Sequence, residues 1–153
     1  MWLVTTPKMI YSASVISLIS ADVIKKVIHM SLNSLEFTFN YMVSNNTNIS
    51  IKKYQDDLEI LDIHLKLKLI DIWLNKININ NLDESQTIIY QSISDSCHKI
   101  ADTIQIINDN IKYHNTKWFN SWRNIYLDDE IKILEKNVKI LDERLLLLNL
   151  ITF

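Results

Sequence analysis

The sequence predicts an all-α fold: an antiparallel bundle of three to four long helices in a single domain spanning residues 1–153. Apolar residues recur at helical spacing through most of the chain, and 153 residues suffice to bury a core. The chain has no glycine and only Pro7 for proline, where average usage would give roughly eleven and eight. Glycine-dependent turns and phosphate loops are therefore excluded, whereas asparagine-rich connections between helices are not, because Asn tolerates left-handed backbone.

The first helix is predicted over residues 7–44, with Thr6 as its cap and Pro7 in its first position. Residues 9–24 carry one charge but number about 16, fewer than the ~20 that a membrane span needs. A buried or partner-facing helix is therefore favoured over a membrane span or a membrane-surface helix. Residues 35–39 alternate in polarity and taken alone suit a short strand. The apolar stripe consists of Ile16, Ile19, Val23, Val27 and Met30, widened by Leu18, Ile24 and Ile28.

The second helix is predicted over residues 50–77, after an asparagine-rich loop at 45–50. It has two apolar stripes. Because a helix that is apolar on two sides must be covered on two sides, this helix is predicted to be the central one. The first stripe is Leu58, Leu61, Leu65, Leu69 and Ile72, and the second is Ile60, Ile63, Leu67, Ile70, Leu74 and Ile77.

The third helix is predicted over residues 82–123 and the fourth over residues 128–150. Asn81 and Glu84 have the spacing of a capping box, and Asp128 can cap the fourth helix. Each helix has a single apolar stripe, and the 4-3 spacing in the fourth is that of a coiled-coil seam. The stripe of the third is Ile89, Ile93, Cys97, Ile100, Ile104, Ile107 and Ile111, and that of the fourth is Leu127, Ile131, Leu134, Val138, Leu141, Leu145 and Leu148.

The residue pattern predicts no catalytic, cofactor or metal site, and we expect a protein that is not an enzyme. Ser94, His98 and Asp102 are spaced i, i+4 and i+8, but a regular helix offers no oxyanion hole, so they are interpreted as a solvated polar ridge. The four histidines are too far apart in sequence to suggest zinc ligands. Cys97, the single cysteine, excludes an intrachain disulfide and is expected to be a buried thiol.

One locally distinctive segment, the aromatic corner, joins the third and fourth helices. It is favoured as a plug for one end of the core, with a protein-binding hot spot next. A membrane-interface site and a nucleic-acid site are less favoured alternatives; the net charge of −2 supplies no attraction to phosphate. Its residues are Tyr113, His114, Lys117, Trp118, Phe119, Trp122, Arg123 and Tyr126.

Residues 113–123, reading YHNTKWFNSWR, and residues 140–144, reading ILDER, resemble a C-terminal signature of small uncharacterised all-helical proteins from giant DNA viruses of eukaryotes. The heavy use of Asn, Ile and Lys is similar to that of those genomes. The resemblance covers about the last 40 residues and implies a viral protein located in the host cytoplasm or the virion. It implies no activity.

The function expected from the sequence is that of a non-enzymatic structural or protein-interaction bundle. Apolar stripes in excess of one core, including the tail at 145–153, predict a homo-oligomer or a protein partner. One alternative is a membrane-associated protein that uses the N-terminal helix or the C-terminal tail. The other is a nucleic-acid-binding protein that uses residues 112–123. No cofactor is expected.

Overall fold

The computed structural model describes residues 20–117 and 124–152. Over those residues the fold is all-α and contains no strand, as predicted. A short 3-10 turn, Ile79–Asn81, precedes the longest helix. The helices are α1 (Ala21–Ser44), α2 (Ile49–Leu61), α3 (Ile63–Lys76), α4 (Glu84–Asn115) and α5 (Asp128–Thr152).

The directions of the helices follow from contacts between them. Lys25 on α1 bonds Asn75 near the end of α3, so these two neighbours are antiparallel. Asn110 on α4 bonds Glu130 at the start of α5, and Ser92 bonds Arg144, which makes α4 and α5 antiparallel as well. The chain therefore runs up through α1, down through α2 and α3, up through α4 and down through α5.

Helix α1 begins at Ala21, where the Ser20 hydroxyl accepts a hydrogen bond from the Val23 amide at 3.3 Å. The predicted start at Thr6 and Pro7 lies outside the described residues. Residues 35–39 are helical, so the strand alternative is wrong for them. The predicted stripe is also shifted, since Val23 and Met30 are exposed. The buried face of α1 consists of Ile24, Ile28, Ser31, Leu35, Thr38 and Met42.

The predicted second helix is divided at Asp62, whose φ of 49° and ψ of 42° place it in the left-handed region. Asp62 is the one described residue with a positive φ, and Asp tolerates that region better than most residues. The break rotates the helix that follows. In α2 the buried residues are Ile51, Tyr54 and Leu58, whereas in α3 they are Ile63, Leu67, Ile70 and Leu74.

Helix α4, not the second predicted helix, is the central one, because it packs along both α1 and α5. Every member of its predicted isoleucine stripe, from Ile89 to Ile111, is buried. Its capping box is formed by Asp83 and Gln86 rather than by Asn81 and Glu84. The helix ends at Asn115, and residues 118–123 of the predicted helix lie outside the described residues.

Helix α5 buries its predicted seam against α4, with Leu145 half-buried and the other members buried. It begins at Asp128, and the amide of Ile131 bonds the carbonyl of Leu127. The acidic residues Asp128, Asp129 and Glu130 all lie in its first turn, where the helix dipole favours negative charge.

A buried polar contact fixes how α1 and α4 align. The Thr38 hydroxyl donates to the side-chain carbonyl of Asn108, and the Asn108 amide donates to the Ser34 carbonyl at 3.0 Å. Both Thr38 and Asn108 are buried. Because a buried polar group costs free energy when it loses its partner, sliding one helix along the other by a turn is disfavoured.

We expect Asn108→Ala to lower the free energy of unfolding by about 1–3 kcal/mol, because the substitution removes these hydrogen bonds from a buried site. Urea unfolding followed by circular dichroism measures the change. The matched control is Asn33→Ala on the exposed face of α1, for which we expect a change within about 0.5 kcal/mol. Equal losses for the two variants would contradict this account of the contact between α1 and α4.

Candidate functional site

The described part of the aromatic corner lies where α4 ends and α5 begins. Tyr113 and Tyr126 are 63% and 76% exposed, and the ammonium of Lys117 lies 4.2 Å from the Tyr113 ring centroid. Together with His114 they line a shallow depression of about 350 Å³. Trp118, Phe119, Trp122 and Arg123 lie outside the described residues. The core-plug interpretation concerned the tryptophan rings, so it stays a prediction, while the two described tyrosines of the corner are exposed.

Among the described residues, Ile125 and Leu127 are buried at this end of the core. Tyr54 on α2 holds Leu127 in place, because its hydroxyl accepts a hydrogen bond from the Leu127 amide at 3.1 Å. Burial raises the pKa of Tyr54, and the neighbouring Asp128 carboxylate adds to the rise. Lys53 lies 3.7 Å from Asp128 in an exposed ion pair. The sequence did not indicate Tyr54, because one aromatic residue in an amphipathic helix gives no distinctive pattern.

The Ser94, His98 and Asp102 ridge is not solvated throughout, so that interpretation is wrong for Ser94. Ser94 is buried, and its hydroxyl has no hydrogen-bond partner within the described residues. Nδ1 of His98 lies 2.8 Å from the Ser94 backbone carbonyl, so that nitrogen is directed to the backbone rather than to the hydroxyl. Asp102 is exposed, as predicted. Ser94 is buried because α4 is covered on two sides.

Cys97 is a buried thiol, as predicted, and burial raises its pKa to about 12. Across residues 20–117 and 124–152, no group of three His, Cys, Asp or Glu side chains is arranged to hold a metal ion. Over the same ranges, no helix combines the length and the apolar character needed to cross a membrane.

A second candidate surface lies on α3, and the sequence did not indicate it as a site. Leu65, Leu69 and Ile72 are spaced i, i+4 and i+7, and they are 50%, 52% and 50% exposed. At 100° per residue they lie opposite the buried residues of α3, so we call them the outer ridge. They belong to the first predicted apolar stripe. After the break at Asp62, the second stripe faces the core and these three residues of the first stripe face outward.

Helix α5 also carries exposed apolar residues. Nζ of Lys66 lies 2.9 Å from the Asp142 carboxylate, and α3 and α5 run in the same direction. Leu146 and Leu150 follow Asp142 by one and two turns, so along the bundle they lie at the height of the second half of α3. They are 65% and 77% exposed. We call the outer ridge together with Leu146 and Leu150 the apolar face.

Comparison with known proteins finds a relative in a giant virus. Over 98 residues the chain is 26% identical to an uncharacterised protein of Acanthamoeba polyphaga mimivirus. The chain is similar to a giant-virus protein. The alignment covers 64% of this chain and 46% of the relative, so this chain spans less than half of that protein. No family model matches the chain, and no solved structure matches it.

This similarity supports the resemblance to giant-virus proteins that the sequence suggested. The role of the two segments that first carried the resemblance, residues 113–123 and 140–144, stays a prediction. Since the relative is itself uncharacterised, the similarity assigns no activity to either surface.

We expect Tyr54→Phe to lower the free energy of unfolding by about 1–3 kcal/mol, because the buried amide of Leu127 loses its acceptor. Thermal or urea unfolding measures the loss. Tyr126→Phe is the control, since its ring is exposed and the same deletion there leaves stability within about 0.5 kcal/mol. If the two variants lose the same stability, Tyr54 does not anchor the start of α5.

Proposed function

We propose that this chain is a non-enzymatic protein-interaction bundle of viral origin, which assembles with itself or engages a partner protein through the apolar face. The observation that supports the proposal is the outer ridge of α3, where three large aliphatic side chains are about half exposed on one helix face. Scattered single apolar residues are normal on protein surfaces, but contiguous apolar patches mark contact sites.

The setting of the ridge also favours a protein partner. Its flanks carry polar and charged residues, including Lys68 and Lys76, as the rims of protein interfaces do. Helix α3 is already held from behind by its buried residues, so binding would require no unfolding of the bundle. Location in the host cytoplasm or in the virion fits a chain with a giant-virus relative.

The aromatic corner supports a second contact site of the same class. Tyr113 and Tyr126 are exposed, and tyrosine is enriched in protein interfaces because its ring supplies contact area at low entropic cost. Nucleic-acid binding at this corner is less favoured. The net charge is −2, and the described cations Lys112 and Lys117 lie over the rings of Phe37 and Tyr113.

The interaction role predicts that Leu69→Glu abolishes assembly while stability stays within about 0.5 kcal/mol of wild type, because Leu69 is half exposed. Tagged wild type and variant are compared by sedimentation in extracts of cells that produce them. Wild type should migrate in a species heavier than the tagged monomer, and the variant should migrate at the mass of the tagged monomer, which is 18.0 kDa plus the tag.

Ile133→Glu is the matched control, since Ile133 is equally exposed but lies on α5 away from the apolar face. It should assemble like wild type. If wild type itself migrates at the mass of the tagged monomer in every extract, the interaction role is wrong.

The membrane alternative is tested by flotation with liposomes of neutral and of anionic lipid. The interaction proposal predicts that the protein stays at the bottom of the gradient with both. Co-flotation that is lost in Leu146→Glu with Leu150→Glu would contradict it and would favour a membrane-surface role for the tail of α5.

A further inference from the structure

The outer ridge has a symmetry that points to its partner. From the N-cap of α3 to its last residue, the positions 62, 65, 69, 72 and 76 are spaced 3, 4, 3 and 4, the spacing of a coiled-coil seam. The middle three are the ridge itself, and the two ends are Asp62 and Lys76, each seven residues from Leu69. The seam is therefore apolar in its centre, acidic at one end and basic at the other.

Both end charges are exposed, and neither has an ion-pair partner within the described residues. Asp62 is the N-cap of α3, yet its carboxylate makes no cap hydrogen bond. An antiparallel copy of the same seam would place Lys76 of each chain beside Asp62 of the other. In a parallel copy, like charges would meet instead, which is unfavourable.

We propose that the apolar face binds a second copy of this chain, with the two α3 helices antiparallel across a two-fold axis at Leu69. A two-fold interface uses the same patch on both subunits, so one apolar stripe with opposite charges at equal distances is self-complementary. Leu146 and Leu150 are exposed on α5, which is linked to α3 through Lys66 and Asp142. This proposal rests on the proposed interaction role and names the partner.

Disulfide cross-linking tests the axis directly. The chain has one cysteine, Cys97, which is buried in the apolar core, so replacing it by Ala leaves a background without thiols and buries no unpaired hydroxyl. In that background a two-fold axis at Leu69 brings residue 69 of one chain next to residue 69 of the other. Leu69→Cys should therefore oxidise to a covalent dimer much faster than Leu65→Cys or Ile72→Cys.

Several results would overturn the proposal. Equal cross-linking at 65, 69 and 72 would indicate a parallel pair, and cross-linking no faster than in the exposed control Ile133→Cys would mean that the ridge does not pair. A strictly monomeric pure protein also overturns it. In that case, the rate of maleimide labelling of Leu69→Cys separates two explanations. Slow labelling would mean that the chain's own residues 1–19 cover the ridge, and fast labelling would mean that the ridge is open.

A charge test uses two lysines on one helix. Lys76→Glu should weaken dimerisation on the order of tenfold, because two symmetric ion pairs become like-charge pairs. Lys68→Glu should not weaken it, because Lys68 lies near the axis, beside Lys68 of the other chain. Sedimentation equilibrium at low and high salt measures the dimer dissociation constant of each variant. Equal weakening by the two variants would contradict the antiparallel arrangement.

The outcomes also separate this proposal from the interaction role. If pure protein is monomeric but its complex in extracts still depends on Leu69, the second copy is wrong and the interaction role stands. If neither pure protein nor extract shows a complex, both are wrong.

Discussion

The surface of this bundle depends on one backbone constraint, the left-handed conformation of Asp62. If α2 continued unbroken, its buried positions Ile51, Tyr54 and Leu58 would be followed by Leu61, Leu65, Leu69 and Ile72 at helical spacing. The break rotates α3, so that Ile63, Leu67, Ile70 and Leu74 are buried and the outer ridge faces solvent. A residue with φ of 49° thus determines which of two apolar stripes becomes core.

The other helices hold α3 at the edge of the bundle. Helix α4 forms the centre, with α1 and α5 packed along it. Lys66 connects α3 to α5 through Asp142, and Asn75 connects it to α1 through Lys25. The ring of Trp73 packs at a tilt of 52° against Tyr90 of α4, with 6.2 Å between the ring centroids. These contacts lie on the sides and back of α3 and leave its outer ridge uncovered by the described residues.

The fold class could be predicted because periodicity is a strong signal when one face is covered. The stripe of α4 and the seam of α5 are each apolar on one side, and the structure buries both. Which of the two apolar stripes of α3 faces the core could not be predicted. Neither Gly nor Pro marks Leu61, Asp62 and Ile63, and two equally apolar stripes left both orientations open. Burial of Ser94 and Asn108 was missed for a related reason, since it reflects how many helices cover α4.

Of the two candidate surfaces, the sequence indicated the aromatic corner by its composition, whereas the apolar face became visible only from the burial of its neighbours. Tyr113 and Tyr126 are exposed, whereas Ile125 and Leu127, which lie beside Tyr126 in the sequence, are buried. An aromatic cluster indicates that large side chains meet, but it does not indicate whether they meet inside the fold or at its surface.

The central claim is that the break at Asp62 exposes the outer ridge, and the backbone φ of Asp62 measured by NMR in solution tests it most directly. We expect a positive φ, seen as a strong contact between the amide and α-protons of that residue, with Leu67 and not Leu65 in contact with the core. A helical φ of about −63° at Asp62, with Leu65 and Leu69 in the core, would contradict the claim.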